Sequence, residues 1–258
     1  MWFGLDNVVL TVLQALCVAL PAAGLPSRLE RARRGAWSLV LPLSIAVTVA
    51  VIGVVPASAD VYTWAALIGV PVGCALALGW AARGSRWPLA VLAAPLLAIA
   101  WTQQDTLAGD LAVDLLIVGS VVTLGRLIAG AAPLTLVKVA LVAMAVVDAV
   151  LVFSGELAQP NAVLNAAVPA PGLPQLQTGV LDGSSLGYGD FLAAAVLGGV
   201  LACEDAPQWP LALLTLLVSF AWDQLFLVFD LLPATVPPAI VVLLWEARRL
   251  RVRSRHAA

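Results

Sequence analysis

The chain has 258 residues, 62% of them hydrophobic and 11% charged, with a formal net charge of −2 and a mean hydropathy of +1.02. Soluble domains carry about 25% charged residues, so this composition excludes an ordinary water-soluble globular protein, and it shows no nucleic-acid footprint. His256, the single histidine, lies in the charged tail, and Cys17, Cys74 and Cys203 fall in or at the end of apolar runs at no regular spacing; this speaks against most zinc sites, Ser-His-Asp catalysis and a disulfide framework.

Apolar runs of the length that crosses a bilayer, about 20 residues, are predicted at 5–25, 36–56, 62–82, 87–102, 109–126, 134–154, 186–204, 208–229 and 233–250. The expected fold is therefore an all-α polytopic membrane protein with nine transmembrane helices. The first run lacks a positive n-region and is followed by Arg28, Arg31, Arg33 and Arg34, which marks a retained helix rather than a cleaved signal peptide. Trp37, Trp64, Trp87, Trp101, Trp209 and Trp245 fall near predicted ends, as interfacial indoles do. Gly130 and Pro133 break the chain between the fifth and sixth runs, with Arg126 and Lys138 on either side.

Charge separates the loops. Arg28 to Arg34, Arg83 with Arg86, Arg126 with Lys138, and the tail bearing Arg248, Arg249, Arg251, Arg253 and Arg255 are basic, whereas 57–60, 103–110 and the connection after Ser154 are acidic or neutral. The positive-inside rule then predicts an extracytoplasmic N-terminus and a cytoplasmic C-terminus in a cell membrane. Glu204-Asp205 is mildly discordant, but acids contribute little to topology.

The one extended connection, 155–184, reads as a structureless loop rich in Pro, Asn, Gly and Gln, a length that usually signals function or mobility. Its end, 176–181, is expected to pair as a short strand that offers an edge to an extended peptide.

Acids inside apolar runs carry the chemistry, because an ionisable group at membrane depth costs about 3 kcal/mol by insertion scales. Asp148 lies in the sixth run with only apolar neighbours in sequence; interhelical hydrogen bonding is the bland alternative to a functional role. Asp190 follows Gly187-Tyr188-Gly189 at the start of the seventh run, where the glycines let another chain approach closely and where an acid also suits a helix N-terminus. Asp114 and Asp223 read as buried polar contacts or as residues of a hydrated cavity, and Asp110, Asp182, Asp205 and Asp230 as loop or boundary residues. Before the ninth run, Pro233, Pro237 and Pro238 exceed what a helix start needs. The irregular backbone they impose is tolerated at membrane depth only inside protein or beside a wet cavity.

These residues together resemble the presenilin and signal peptide peptidase family of intramembrane aspartyl proteases over about residues 134–250. Leu186-Gly187-Tyr188-Gly189-Asp190-Phe191 is similar to the family's Leu-Gly-Xaa-Gly-Asp-Phe run, and Leu232-Pro233-Ala234-Thr235 resembles its Pro-Ala-Leu motif, with Pro238-Ala239-Ile240 as the alternative equivalent. The family's Tyr-Asp pair is Val147-Asp148 here. The resemblance implies Asp148 and Asp190 as a catalytic dyad, and Gly187, Tyr188, Gly189, Pro233, Ala234 and Thr235 as the border of the active site. It also implies a scaffold of five helices over 1–133 and a catalytic region over 134–258, with no metal and no cofactor. The arginine-derived orientation looks like that of signal peptide peptidase, which implies substrates that are transmembrane helices of type II orientation within the lipid bilayer. A prepilin-peptidase-like enzyme shares the Gly-Xaa-Gly-Asp run, and a proton-coupled transporter or channel with a carboxylate relay is the rival of another class.

Overall fold

The computed structural model describes residues 5–26, 35–181, 183–229 and 231–257. Arg28, Arg31, Arg33, Arg34, Asp182 and Asp230 lie outside the described residues. Ten α-helices are described: α1 (Leu5–Ala19), α2 (Val40–Val54), α3 (Ser58–Leu76), α4 (Ala93–Thr102), α5 (Leu107–Ala131), α6 (Leu134–Phe153), α7 (Ala158–Ala166), α8 (Tyr188–Cys203), α9 (Gln208–Asp223) and α10 (Val236–Ala257). Four helical stretches, Ser58–Ala81, Leu107–Ala131, Leu134–Phe153 and Gln208–Leu227, are long and apolar enough to cross a membrane by length and composition. Asp6–Ala19, Leu41–Val54, Trp87–Thr102 and Tyr188–Cys203 are apolar but shorter. Large apolar side chains face outward, Leu227 at 75% and Ile68 at 65% exposure among them, a surface that water alone would not leave uncovered.

Two expectations change. Gly130 does not end its helix, since α5 runs on to Ala131; a glycine inside a helix costs only about 1 kcal/mol, and Pro133 supplies the stop. The connection 155–184 is not structureless, because α7 forms within it. Its far end builds a hairpin, β1 (Thr178–Leu181) antiparallel to β2 (Ser184–Gly187), in the register Thr178 to Gly187 through Leu181 to Ser184. Two residues join the strands, and Gly183 at φ 93° takes a left-handed conformation that a side chain would resist.

α8 is the central element. Every residue from Phe191 to Ala202 is buried, as expected for a helix apolar on all sides. Its closest approach is to α5, where a methyl on Gly199 would lie 2.4 Å from the Gly125 carbonyl oxygen and one on Gly125 would lie 2.3 Å from that of Ala195. Only glycine admits such backbone contact. α1 packs against both α8 and α9, so the first segment of the chain reaches into the structure built by the last third. The buried Gln208 amide fastens this junction by donating to the carbonyls of Val18 (3.2 Å), Pro21 (3.0 Å) and Gly198 (3.0 Å).

The basic residues converge at one end. Arg126 donates to the carbonyls of Gly24 and Trp80 and lies over the Trp80 ring. Lys138 bridges Glu204 and Glu246, Arg249 pairs with both of them, and Trp245 Nε1 donates to Glu204. Glu204, discordant as a loop charge, is thus the hub of a network joining α6, α8 and α10. Burial opposes its charge, but hydrogen bonds from Lys138, Trp245 and Arg249 hold its carboxyl below the usual range. Such a group stabilises the fold above its unfolded value, near 4.5, and that stabilisation is lost as pH falls through the lower folded value. Glu204→Gln leaves Lys138 with Glu246 alone and is expected to cost about 1–3 kcal/mol, with a correspondingly flatter loss of stability below pH 4.5 than in the parent chain. Thermal melts in detergent across pH check both.

Candidate active site

At the other end of α8, β2 runs straight into the helix. Gly187 is the last residue of the strand and the N-cap of α8, with an extended backbone (φ −67°, ψ 151°). Asp190 occupies the third helical position and accepts a hydrogen bond from the Gly187 N–H through Oδ2 at 3.1 Å. The helix-cap alternative therefore describes part of what Asp190 does. Its burial is incomplete, because the residue opens onto a cavity.

Asp148 projects from α6 toward the same place and is 6% exposed. The two acids, distant in sequence, line the same cavity. Pro233-Ala234-Thr235 precedes α10 as an irregular turn, and the Thr235 hydroxyl donates to Asp148 Oδ2 at 2.6 Å. Of the two proline segments, this is the one that touches the dyad; Pro237, Pro238 and Ala239 belong to the first turn of α10. The Tyr188 hydroxyl does not join the acids but shares a 2.7 Å hydrogen bond with Ser120 of α5.

The two glycines differ. A methyl on Gly187 would crowd Asp190 Oδ2 at 3.1 Å, whereas one on Gly189 would meet nothing nearer than Met144 Cε at 3.9 Å. Packing within the chain therefore does not demand glycine at 189.

Gln14, which the sequence analysis did not select, ties the site together. Its side-chain amide, 2% exposed, donates to the Ala234 carbonyl at 2.9 Å and the Asp190 carbonyl at 3.4 Å, while Ser219 of α9 donates to its Oε1 at 3.4 Å. A polar residue on the buried face of an apolar helix was the available signal. Gln14→Leu leaves two carbonyls without this donor and is expected to cost about 1–3 kcal/mol of stability, read as a lower melting temperature than that of an exposed-site control such as Val12→Ala.

The cavity has a volume of about 1110 Å³, and both acids line it. α2, α3 and α5 supply apolar wall through residues such as Ile45, Gly69 and Leu127, and α7, the residue before β1 and β2 contribute Asn161, Gln177 and Leu186. Asp223 lines it too, with Thr11 Oγ1 at 3.4 Å and Asn7 Nδ2 at 3.5 Å from its Oδ2. Asp114 stands apart. It is fully buried beneath β1, where a methyl on Gly179 would lie 2.6 Å from Oδ1, and neither of its carboxyl oxygens has a hydrogen-bond partner among the described residues.

Among the described residues no group of His, Cys, Asp and Glu is arranged to hold a metal ion. What the site offers is two carboxyls with distinct hydrogen-bond donors, lining a cavity of peptide-segment size that β2 also borders. No family model, curated protein or solved structure matches the chain.

Proposed function

We propose that this chain is an intramembrane aspartyl endopeptidase that hydrolyses peptide bonds within transmembrane segments, leftover signal peptides included. The observation that carries the reading is that Asp148, Asp190 and the Pro233-Ala234 turn line a single cavity, with the Thr235 hydroxyl bonded to Asp148. The nine helical runs span the cell membrane with the N-terminus outside. Convergence of Arg126, Lys138 and Arg249 at the end of α8 opposite the dyad supports that orientation, which sets the dyad in the extracytoplasmic half. This location favours type II substrates over the cytoplasmic-face cleavage of a prepilin-peptidase-like enzyme.

Two carboxyls so close in a poorly solvated site share one proton. The ionised member removes a proton from water as its oxygen bonds to the scissile carbonyl carbon, and the protonated member gives its proton to the carbonyl oxygen as the π pair moves there. Breakdown returns both: the nitrogen takes the proton held by the base, the C–N bond breaks, and the acid regains its proton from the hydroxyl of the tetrahedral intermediate. No covalent enzyme intermediate forms.

A helix hides its peptide bonds, so the substrate unwinds first. β2 borders the cavity through Ser185, Leu186 and Gly187, and a third strand along it extends the β1–β2 hairpin and holds the unwound segment beside the acids. The free space at Gly189 suits a substrate backbone passing close to α8.

The test is purified protein in liposomes with a single-span type II reporter, its products located by mass spectrometry. Cleavage within the span, absent from Asp148→Asn and Asp190→Asn, is the expected result. Proton-coupled uptake by the same liposomes without any proteolysis overturns the reading in favour of a transporter.

A further inference from the structure

Thr235 is the residue before the first helical position of α10, where a threonine oxygen ordinarily accepts from the N–H of the second or third helical residue. Those residues are Pro237 and Pro238, which have no N–H. The hydroxyl is released from capping and donates instead to Asp148 Oδ2 at 2.6 Å. Thr235 is 1% exposed and Asp148 6%, so little solvent reaches this bond.

Asp190 is served differently. The one hydrogen bond to its carboxyl among those described comes from the Gly187 backbone at 3.1 Å, and the residue lines the cavity. The helix dipoles do not separate the pair, because each acid stands at a helix N-terminus, Asp190 at that of α8 and Asp148 at that of α10. Hydrogen bonding does, since donors to a carboxylate favour its charged form and the hydroxyl on Asp148, at 2.6 Å, lies closer than the amide on Asp190, at 3.1 Å.

We infer that Thr235 is a positioning residue that holds the dyad's negative charge on Asp148, making Asp148 the base toward water and Asp190 the acid toward the scissile carbonyl. The inference deepens the protease reading and rests on it.

The other ionisable groups around Asp148 leave this division intact. α2 and α7 carry none. Asp223 of α9 is held by Asn7 and Thr11, Tyr188 of α8 by Ser120, Asp114 of α5 lies against Gly179 of β1, Asp110 is in the first turn of α5, and Tyr62 of α3 lines the cavity wall. Arg126 of α5, Lys138 of α6, and Glu246 and Arg249 of α10 are paired at the far end.

The experiment compares the pH dependence of reporter cleavage by the full chain with that of Thr235→Val and Thr235→Ser. Loss of a hydrogen bond to a charged group corresponds to about one to two pH units. The acidic limb of kcat/KM is therefore expected to rise by that amount in Thr235→Val, with turnover at neutral pH reduced about 10- to 100-fold, and Thr235→Ser, which keeps the hydroxyl, restores the parent profile. Infrared titration of the purified proteins, following the carboxyl band lost in Asp148→Asn, should show the same upward shift. Thr235→Ala serves if the valine variant does not fold. An unmoved acidic limb and band in Thr235→Val, or a serine variant that behaves like valine, overturns the inference while the loss of activity in the Asp→Asn variants leaves the protease reading standing. A parent chain that cleaves nothing overturns both.

Discussion

Asp148→Asn and Asp190→Asn are each expected to lower turnover of a transmembrane reporter by about 10⁴-fold, because each removes one of the two proton-transfer groups, and general acid or base catalysis contributes about 10²- to 10⁴-fold apiece. The survivor also loses the partner that fixes its protonation state. Neither change should unfold the chain. An asparagine oxygen at 190 can still accept from the Gly187 N–H, and one at 148 can still accept from the Thr235 hydroxyl. Cleavage assays paired with melting curves separate the two effects: activity near the parent level in either variant defeats the dyad, whereas collapse of the melt alongside activity shows the acids to be structural.

The second large effect belongs to packing. Gly199→Leu drives a branched side chain into the backbone of α5, where a methyl alone would already lie 2.4 Å from the Gly125 carbonyl oxygen. A flexible neighbour could step aside, but a helix backbone carrying its own hydrogen bonds cannot. Overpacking costs about 1–3 kcal/mol in ordinary cores, and displacement of two central helices places this variant at or above the top of that range. Gly69→Leu is the contrast, since a methyl there meets nothing within 4 Å and the residue lines the cavity. It should melt like the parent chain yet obstruct substrate. Equal melting temperatures for Gly199→Leu and the parent would show that α5 and α8 are not held at glycine distance.

Much of this architecture is legible in the chain, and the rest is hidden for definite reasons. Helices follow from unbroken apolar runs and from prolines that stop them, and the strand at 178–181 follows from its position between a loop and Gly-Xaa-Gly-Asp. The acids announce themselves because charge is rare in such a sequence. α7 was obscured by composition: Ala158–Ala166 contains Pro160, Asn161 and Asn165, residues that suggest a loop, and the proline falls in the first turn, where it has no intrahelical bond to break. Gln14 was obscured by distance. The resemblance implies Thr235 as part of the border of the site, and the prolines that deprive it of a capping partner stand beside it in the sequence, but no local pattern reports that its hydroxyl meets a carboxyl 87 residues away.

The bond from Gln14 to Ala234 spans 220 residues, and this separation has a consequence for biosynthesis. At about 5–20 residues per second, the first helix waits roughly 10–45 seconds between leaving the ribosome and meeting the turn that satisfies its amide. Its other partners, the Asp190 carbonyl and the Ser219 hydroxyl, also come late in the chain, as does the surface of α8 and α9 that covers α1. The first helix is thus made for a slot that does not yet exist, and a chain truncated before Ala234 keeps only the weaker 3.4 Å contacts of its amide.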